Sequence, residues 1–171
     1  FVNSDVTIKK VCTAMRNTFA KASPSDAIIL YFSGHGVPGG LVCYDGVLYY
    51  SSVLSIMRQS KAQQKMIFVD ACFAGKMRNT NKRNTNYSKE NVMFFLSSRS
   101  TEKSLETPRQ TGFNNSLFTV FLERGLRGGA DTNKDRVITA KEIYNFVHQG
   151  VVEASGNRQH PVMWGKFDGN M

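Results

Sequence analysis

The chain has 171 residues, of which 41% are hydrophobic, 11% aromatic and 20% charged. That composition suits one globular domain with a sizeable core and argues against global disorder. The net charge of +9, from 22 basic and 13 acidic residues, keeps nucleic acid in view as a partner, whereas no apolar run approaches the ~20 residues that would span a bilayer. The opening "FVNSDVTIKK" lacks the basic start and apolar run of a signal peptide. The first residue is Phe rather than Met, so the expectation is a fragment with an incomplete N-terminus. Cys12, Cys43 and Cys72 cannot all pair internally, which favours a reducing compartment such as the cytoplasm.

In chain order, residues 6–22 place Val11, Met15, Phe19 and Ala22 at helical spacing, with Ser4, Asp5 or Thr7 as the cap. "AIILYFS", 27–33, is a continuous apolar run, as expected of a strand covered on both faces. "GHGVPGG" reads as a loop, and 41–50 as a hairpin around Asp45-Gly46. Residues 51–60 predict a short helix, 65–71 a second buried strand and 91–98 a third. A polar loop is expected over 99–115, then helices over 116–128 and 139–154 and a last strand in "PVMWGKF". Strands alternating with helices predict an α/β fold with a mainly parallel sheet and helices on both faces. No repeat or linker divides the chain, so one domain over 1–171 is expected.

Two of these strands end in chemically capable residues. "AIILYFS" runs into Gly34-His35-Gly36, and "KMIFVDA" into Cys72. In such sheets the ligand site lies beyond the carboxyl ends of the strands. Neighbouring strands lie ~4.8 Å apart, so His35 and Cys72 would face each other across one crevice. An imidazole can take a thiol proton and later protonate a leaving amine, while the thiolate is the nucleophile. The N–H groups of Gly36 and Cys72 are candidates for holding an oxyanion. Taken singly, His35 could be structural and Cys72 a small packed hydrophobe.

"YFSGHG" followed by "FVDACFAG" resembles the caspase-like cysteine peptidases, most closely the metacaspase and bacterial orthocaspase branch. The likeness continues through "NVMFFLSSRSTEKSLE", "SLFTVFLERGLRGGADTNKDRVITAKEIYNFV" and "NRQHPVMWG", and so covers nearly the whole chain. The resemblance implies a caspase-like fold and a catalytic dyad of His35 and Cys72. It also implies that a first strand and helix are missing from the N-terminus, where "FVNSDVT" would be the end of the second strand and the start of the following helix. That first strand would lie between the second and third strands of the sheet. A cleaved N-terminal fragment of the same protein is therefore an expected partner.

Asp70 stands two residues before Cys72, on the same side of its strand, where a carboxylate opposes thiolate formation. A carboxylate there is costly unless it meets a cation, and a substrate Lys or Arg before the scissile bond would supply one. The resemblance agrees, since metacaspases carry Asp at this position and cleave after Arg or Lys; Ser33 matches another of their pocket residues. The competing reading is a buried Asp bonded to backbone amides.

The basic stretch 76–89 reads as a solvated loop or as a nucleic-acid contact, although only Tyr87 could stack on bases. A nucleic-acid partner is disfavoured. If the enzyme prefers basic residues, Lys76, Arg78, Lys82 and Arg83 are candidate self-processing sites. The resemblance also brings the calcium dependence of many metacaspases, but Lys, Arg and Asn stand here where that site has aspartates. No cofactor is expected to be required. A second calcium candidate is "DTNKDRVITAKE", matching an EF-hand loop at Asp131, Asn133, Asp135, Thr139 and Glu142, with Arg136 where Gly belongs. Alternatively Thr139 and Glu142 form a capping box and Asp131 and Asn133 form turns. Trp164 could line a pocket or pack the core. The expected activity is a cysteine endopeptidase cleaving after Arg or Lys; its rival is a catalytically silent caspase-like scaffold that binds partners.

Overall fold

A computed structural model describes residues 1–72, 92–99, 101–105 and 116–170. Helix α1 (Ile8–Phe19) starts at Thr7, whose extended backbone places its hydroxyl to accept the Lys10 N–H at 3.3 Å. Ahead of it, Asn3–Asp5 form one 3-10 turn. In "FVNSDVT" Val2 is extended and the chain then turns towards α1. Asn3 takes φ 49°, and the Val6 N–H returns to the Asn3 carbonyl, so the backbone curls where a strand needs it extended.

The remaining elements are β1 (Ala27–Gly34), β2 (Gly36–Val37), β3 (Gly40–Cys43), β4 (Gly46–Tyr49), α2 (Tyr50–Gln59) and β5 (Gln64–Ala71), then β6 (Val92–Leu96), α3 (Leu117–Arg124), α4 (Ala140–Ala154) and β7 (Val162–Lys166). A π-helical turn, Gly125–Gly129, extends α3. The main sheet has the order β1-β5-β6-β7. Its first three strands are parallel and β7 runs antiparallel to β6. The expected hairpin is the larger part of a second, antiparallel sheet, β2-β3-β4. The segment "GHGVPGG" thus holds a short strand, paired as Gly36 with Leu41 and Val37 with Gly40.

Alternation along β5 divides the core into two layers. Ile67, Val69 and Ala71 join α1 and α2 on one face, while Phe68 joins α3 and α4 on the other. Helices α3 and α4 meet closely, because a Cβ at Gly150 would enter the Phe121 ring. Trp164 packs in the first layer, stacked on Phe94 with ring centroids 4.0 Å apart, which settles it as a core residue. Among the described residues, β1 is an outer strand of the main sheet, and no helix is long and apolar enough to cross a membrane.

Helix α4 opens on a capping box. The Thr139 hydroxyl accepts the Glu142 N–H, and the Glu142 carboxylate accepts the Thr139 N–H at 3.0 Å. Bonds from Thr139 and Thr132 hold the Glu142 carboxyl down at about 2. Thr139→Ala is expected to lose about 1 kcal/mol of stability. In thermal unfolding this reads as a Tm lower by roughly 2–4 °C. Because the folded-state value of Glu142 is lowered, its contribution is present above the ordinary glutamate range and fades as pH falls towards 2. Glu142→Gln should therefore lower Tm at neutral pH and lose that difference in acid. An equal Tm for Thr139→Ala and the parent chain would dismiss the cap.

Candidate active site

The pairing of β1 with β5 sets the site. Ser33 is level with Asp70 and Gly34 with Ala71, so the next residue on each chain is His35 on one and Cys72 on the other. Both stand at the carboxyl end of the sheet, as the apolar runs predict. His35 is exposed and Cys72 half-buried. Beyond His35 the chain leaves for the second sheet, anchored by the Val42 N–H to the His35 carbonyl at 2.9 Å. Gly36 then passes directly against the end of β5. A Cβ there would sit 2.5 Å from the Cys72 carbonyl oxygen and 3.1 Å from the Ala71 Cβ. Only glycine allows that approach, which brings the backbones carrying the imidazole and the thiol together.

Asp70 faces the α3 side of the sheet and is 3% exposed. Among the described residues its partners are hydroxyls, neither a cation nor backbone amides. Ser104 donates to Oδ1 at 2.7 Å, Thr119 donates to Oδ2 at 2.5 Å, and Ser116 donates to Oδ2 in a very short bond. The Thr119 proton is thereby used, so the Tyr31 hydroxyl, 2.7 Å away, is the donor in their contact. Ser116 has a second duty as N-cap of α3, accepting the Thr119 N–H at 3.1 Å. Among the described residues, hydrogen bonds from hydroxyls thus satisfy this buried carboxylate. Ser33 is level with Asp70 and exposed.

The end of β5 is pinned from β6. The Ala71 N–H donates to the Ser97 hydroxyl at 3.1 Å, and that hydroxyl donates to the Ala71 carbonyl at 3.2 Å. Residues 101–105 are held by Gln159 and His160, which follow α4. The Leu105 N–H donates to Gln159 Oε1 at 2.8 Å, and Glu102 accepts from the His160 N–H at 2.8 Å and pairs with its ring at 2.9 Å. Sequence reasoning missed Ser97, Ser104, Ser116, Thr119, Glu102, Gln159 and His160. The clustered hydroxyls in "FLSSRST" after an apolar strand were the available signal.

The candidate calcium loop is used for local bonding. Asp131 accepts the Arg136 N–H at 3.0 Å, the Asp135 N–H donates to Asn133 at 3.0 Å, and Asp135 accepts the Val137 N–H at 2.7 Å. Glu142 is engaged by Thr139 and Thr132. Among the described residues no group of three or more His, Cys, Asp or Glu is placed to hold a metal. Lys76, Arg78, Lys82 and Arg83 lie outside the described residues.

Burial alone would raise the Glu102 carboxyl, but the backbone amides of His160 and Arg99 and the His160 ring outweigh it and hold it below the ordinary range. A lowered folded-state value means stability that is complete above the ordinary glutamate range and lost as pH falls through the lowered value. In Glu102→Gln, Tm plotted against pH should therefore flatten on its acid side. An acid limb as steep as the parent's would rule out this linkage.

The caspase-domain family model matches residues 1–169. Among solved structures, the crystal structure of protein GSU0716 from Geobacter sulfurreducens aligns with a TM-score of 0.66 at 15% identity, covering 95% of this chain and 74% of that one. At that identity the likeness speaks for the fold alone. No curated protein matches the chain. With nearly its full length matched by the family model, the chain belongs to the caspase-domain family, whose general activity is that of a cysteine-type peptidase.

Proposed function

We propose that the chain is a cysteine endopeptidase of the metacaspase and orthocaspase type that cleaves after Arg or Lys, with His35 and Cys72 as its dyad. The observation that carries this reading is the in-register pairing of β1 and β5, which makes these two residues level beyond the sheet. The Cys72 sulfur gives its proton to His35 and attacks the scissile carbonyl. His35 returns that proton to the leaving amine, forming a thioester, and then takes a proton from the water that hydrolyses it. The N–H groups of Gly36 and Cys72 hold the oxyanion. Asp70 and Ser33 receive the basic side chain. The hydroxyls on Asp70 hold its carboxylate in place before a substrate arrives.

The open side of β1 supports a second partner. A cavity of about 490 Å³ runs along it, lined by apolar groups including Val11, Met15, Ile29, Leu30 and Phe32. Ile29 is 55% exposed there, an unusual surface for an unpaired strand edge. An extended segment of the same protein adding a strand at this edge fits both features. If that segment is essential, the chain is a silent scaffold without it.

The test is hydrolysis of fluorogenic peptides ending in Arg, Lys or Asp, with calcium and with chelator. Cleavage after Arg and Lys is expected, with Cys72→Ala and His35→Ala each lowering kcat/KM at least about a thousandfold. Asp70→Asn should raise KM for basic substrates roughly tenfold or more. Cleavage that survives Cys72→Ala would overturn the dyad, and equal cleavage after Asp would overturn the pocket. Mass spectrometry of the incubated active enzyme tests self-processing at Lys76, Arg78, Lys82 or Arg83; an intact chain would refute it.

A further inference from the structure

We infer that Gln159 is a positioning residue for the pocket at Asp70; on the substrate side this rests on the proposed cleavage after basic residues. Gln159 is wholly buried in the connection between α4 and β7. A buried amide is costly unless its donors and acceptor are all matched. Those of Gln159 reach β6's end and residues 101–105. Oε1 accepts the Leu105 N–H at 2.8 Å, while Nε2 donates to the Ser97 carbonyl at 2.8 Å and to the Ser104 hydroxyl at 3.3 Å. Its own backbone is tied to the end of α4, since its N–H donates to the Ser155 hydroxyl at 3.1 Å. Its neighbour His160 holds Glu102 on the same stretch.

Both residues touched by Nε2 act on the site. Ser104 donates to Asp70 Oδ1, and Ser97 grips Ala71, the residue between Asp70 and Cys72. With its oxygen lone pair taken by Gln159, the Ser104 hydroxyl is turned to direct its single proton at Asp70. An apolar residue could fill the space of Gln159 but could not orient Ser104. The amide therefore transmits the position of the α4–β7 connection to the carboxylate that receives the substrate cation. It has no path to the His35 ring through these bonds, so its effect falls on substrate binding.

The experiment compares wild type, Gln159→Leu and Ser104→Ala by three readouts: kcat and KM on Arg and Lys peptides, the rate of Cys72 alkylation by iodoacetamide, and amide exchange by mass spectrometry. Gln159→Leu should raise KM about tenfold, the size of one lost buried hydrogen bond, with kcat within about twofold. Alkylation, which needs no pocket, should keep its rate. Exchange should quicken in residues 101–105 and stay unchanged in β5. Ser104→Ala, a smaller change at the other end of the bond, should reproduce the KM effect if Gln159→Leu does not fold. A fall in kcat at constant KM, or faster exchange throughout the sheet, would overturn the inference. If wild type cleaves no basic peptide, the proposed function fails by itself. The exchange arm then decides the positioning role, and unchanged exchange in residues 101–105 would end it.

Discussion

The parallel pairing of β1 and β5 is the constraint on which the site depends. Parallel strands cannot be joined by a tight turn, so the chain must leave the sheet at the end of β1 and return below it. Here it leaves at His35, builds the β2-β3-β4 sheet and α2, and returns as β5 to arrive at Cys72. Register then acts as a ruler. A slip of one residue would reverse the faces of β5, burying Ile67 and Val69 against the wrong layer and sending Asp70 away from α3. The apolar pattern of the strand therefore enforces the register after which the two chains continue into His35 and Cys72. Gly36 is the local consequence, since the departing chain must cross the Cys72 carbonyl at a distance no side chain tolerates.

Asp70 is the second point at which distant parts converge. Its hydroxyl donors come from the stretch after β6, from the N-cap of α3 and from the first turn of that helix. Ser116 links helix formation to the carboxylate, because one side chain caps α3 and donates to Oδ2. Tyr31 extends the network to the outer strand through Thr119. Such a network fixes geometry at low dielectric, and loss of a member exposes the desolvation cost of the others.

The strands were legible because continuous apolar runs of strand length leave few alternatives, and the placement of His35 and Cys72 at the carboxyl end of the sheet was legible because both follow such runs. The surroundings of Asp70 were not. Its partners lie 34, 46 and 49 residues away, and a hydroxyl carries no periodic signal that marks where it points. The same holds for Gln159, whose partners lie more than fifty residues away along the chain. In "DTNKDRVITAKE" a local motif admitted two readings, and the bonds of Glu142 to Thr139 realise the capping box. At "FVNSDVT" the resemblance placed a strand end and a helix start; a 3-10 turn with a left-handed Asn3 leads there into α1, capped by Thr7 as one of the expected candidates.

If Cys72 is the nucleophile, as proposed, a carboxylate two residues from it is a liability that distance and bonding both reduce. Along a strand the separation is roughly 6.6 Å, far enough for the hydroxyl donors to spread the charge of Asp70 before it reaches the sulfur. Among the described residues Oδ2 receives two donors and Oδ1 one, from Ser104, so Oδ1 keeps more acceptor capacity. In the proposed reading a substrate cation arrives there and adds charge pairing to a carboxylate already held in place. An acidic side chain would meet the same group with like charge and without water to screen it. In the proposed reading discrimination by sign therefore follows from burial, whereas the choice between Lys and Arg would fall to the bonds that Ser104 and its support at Gln159 leave available.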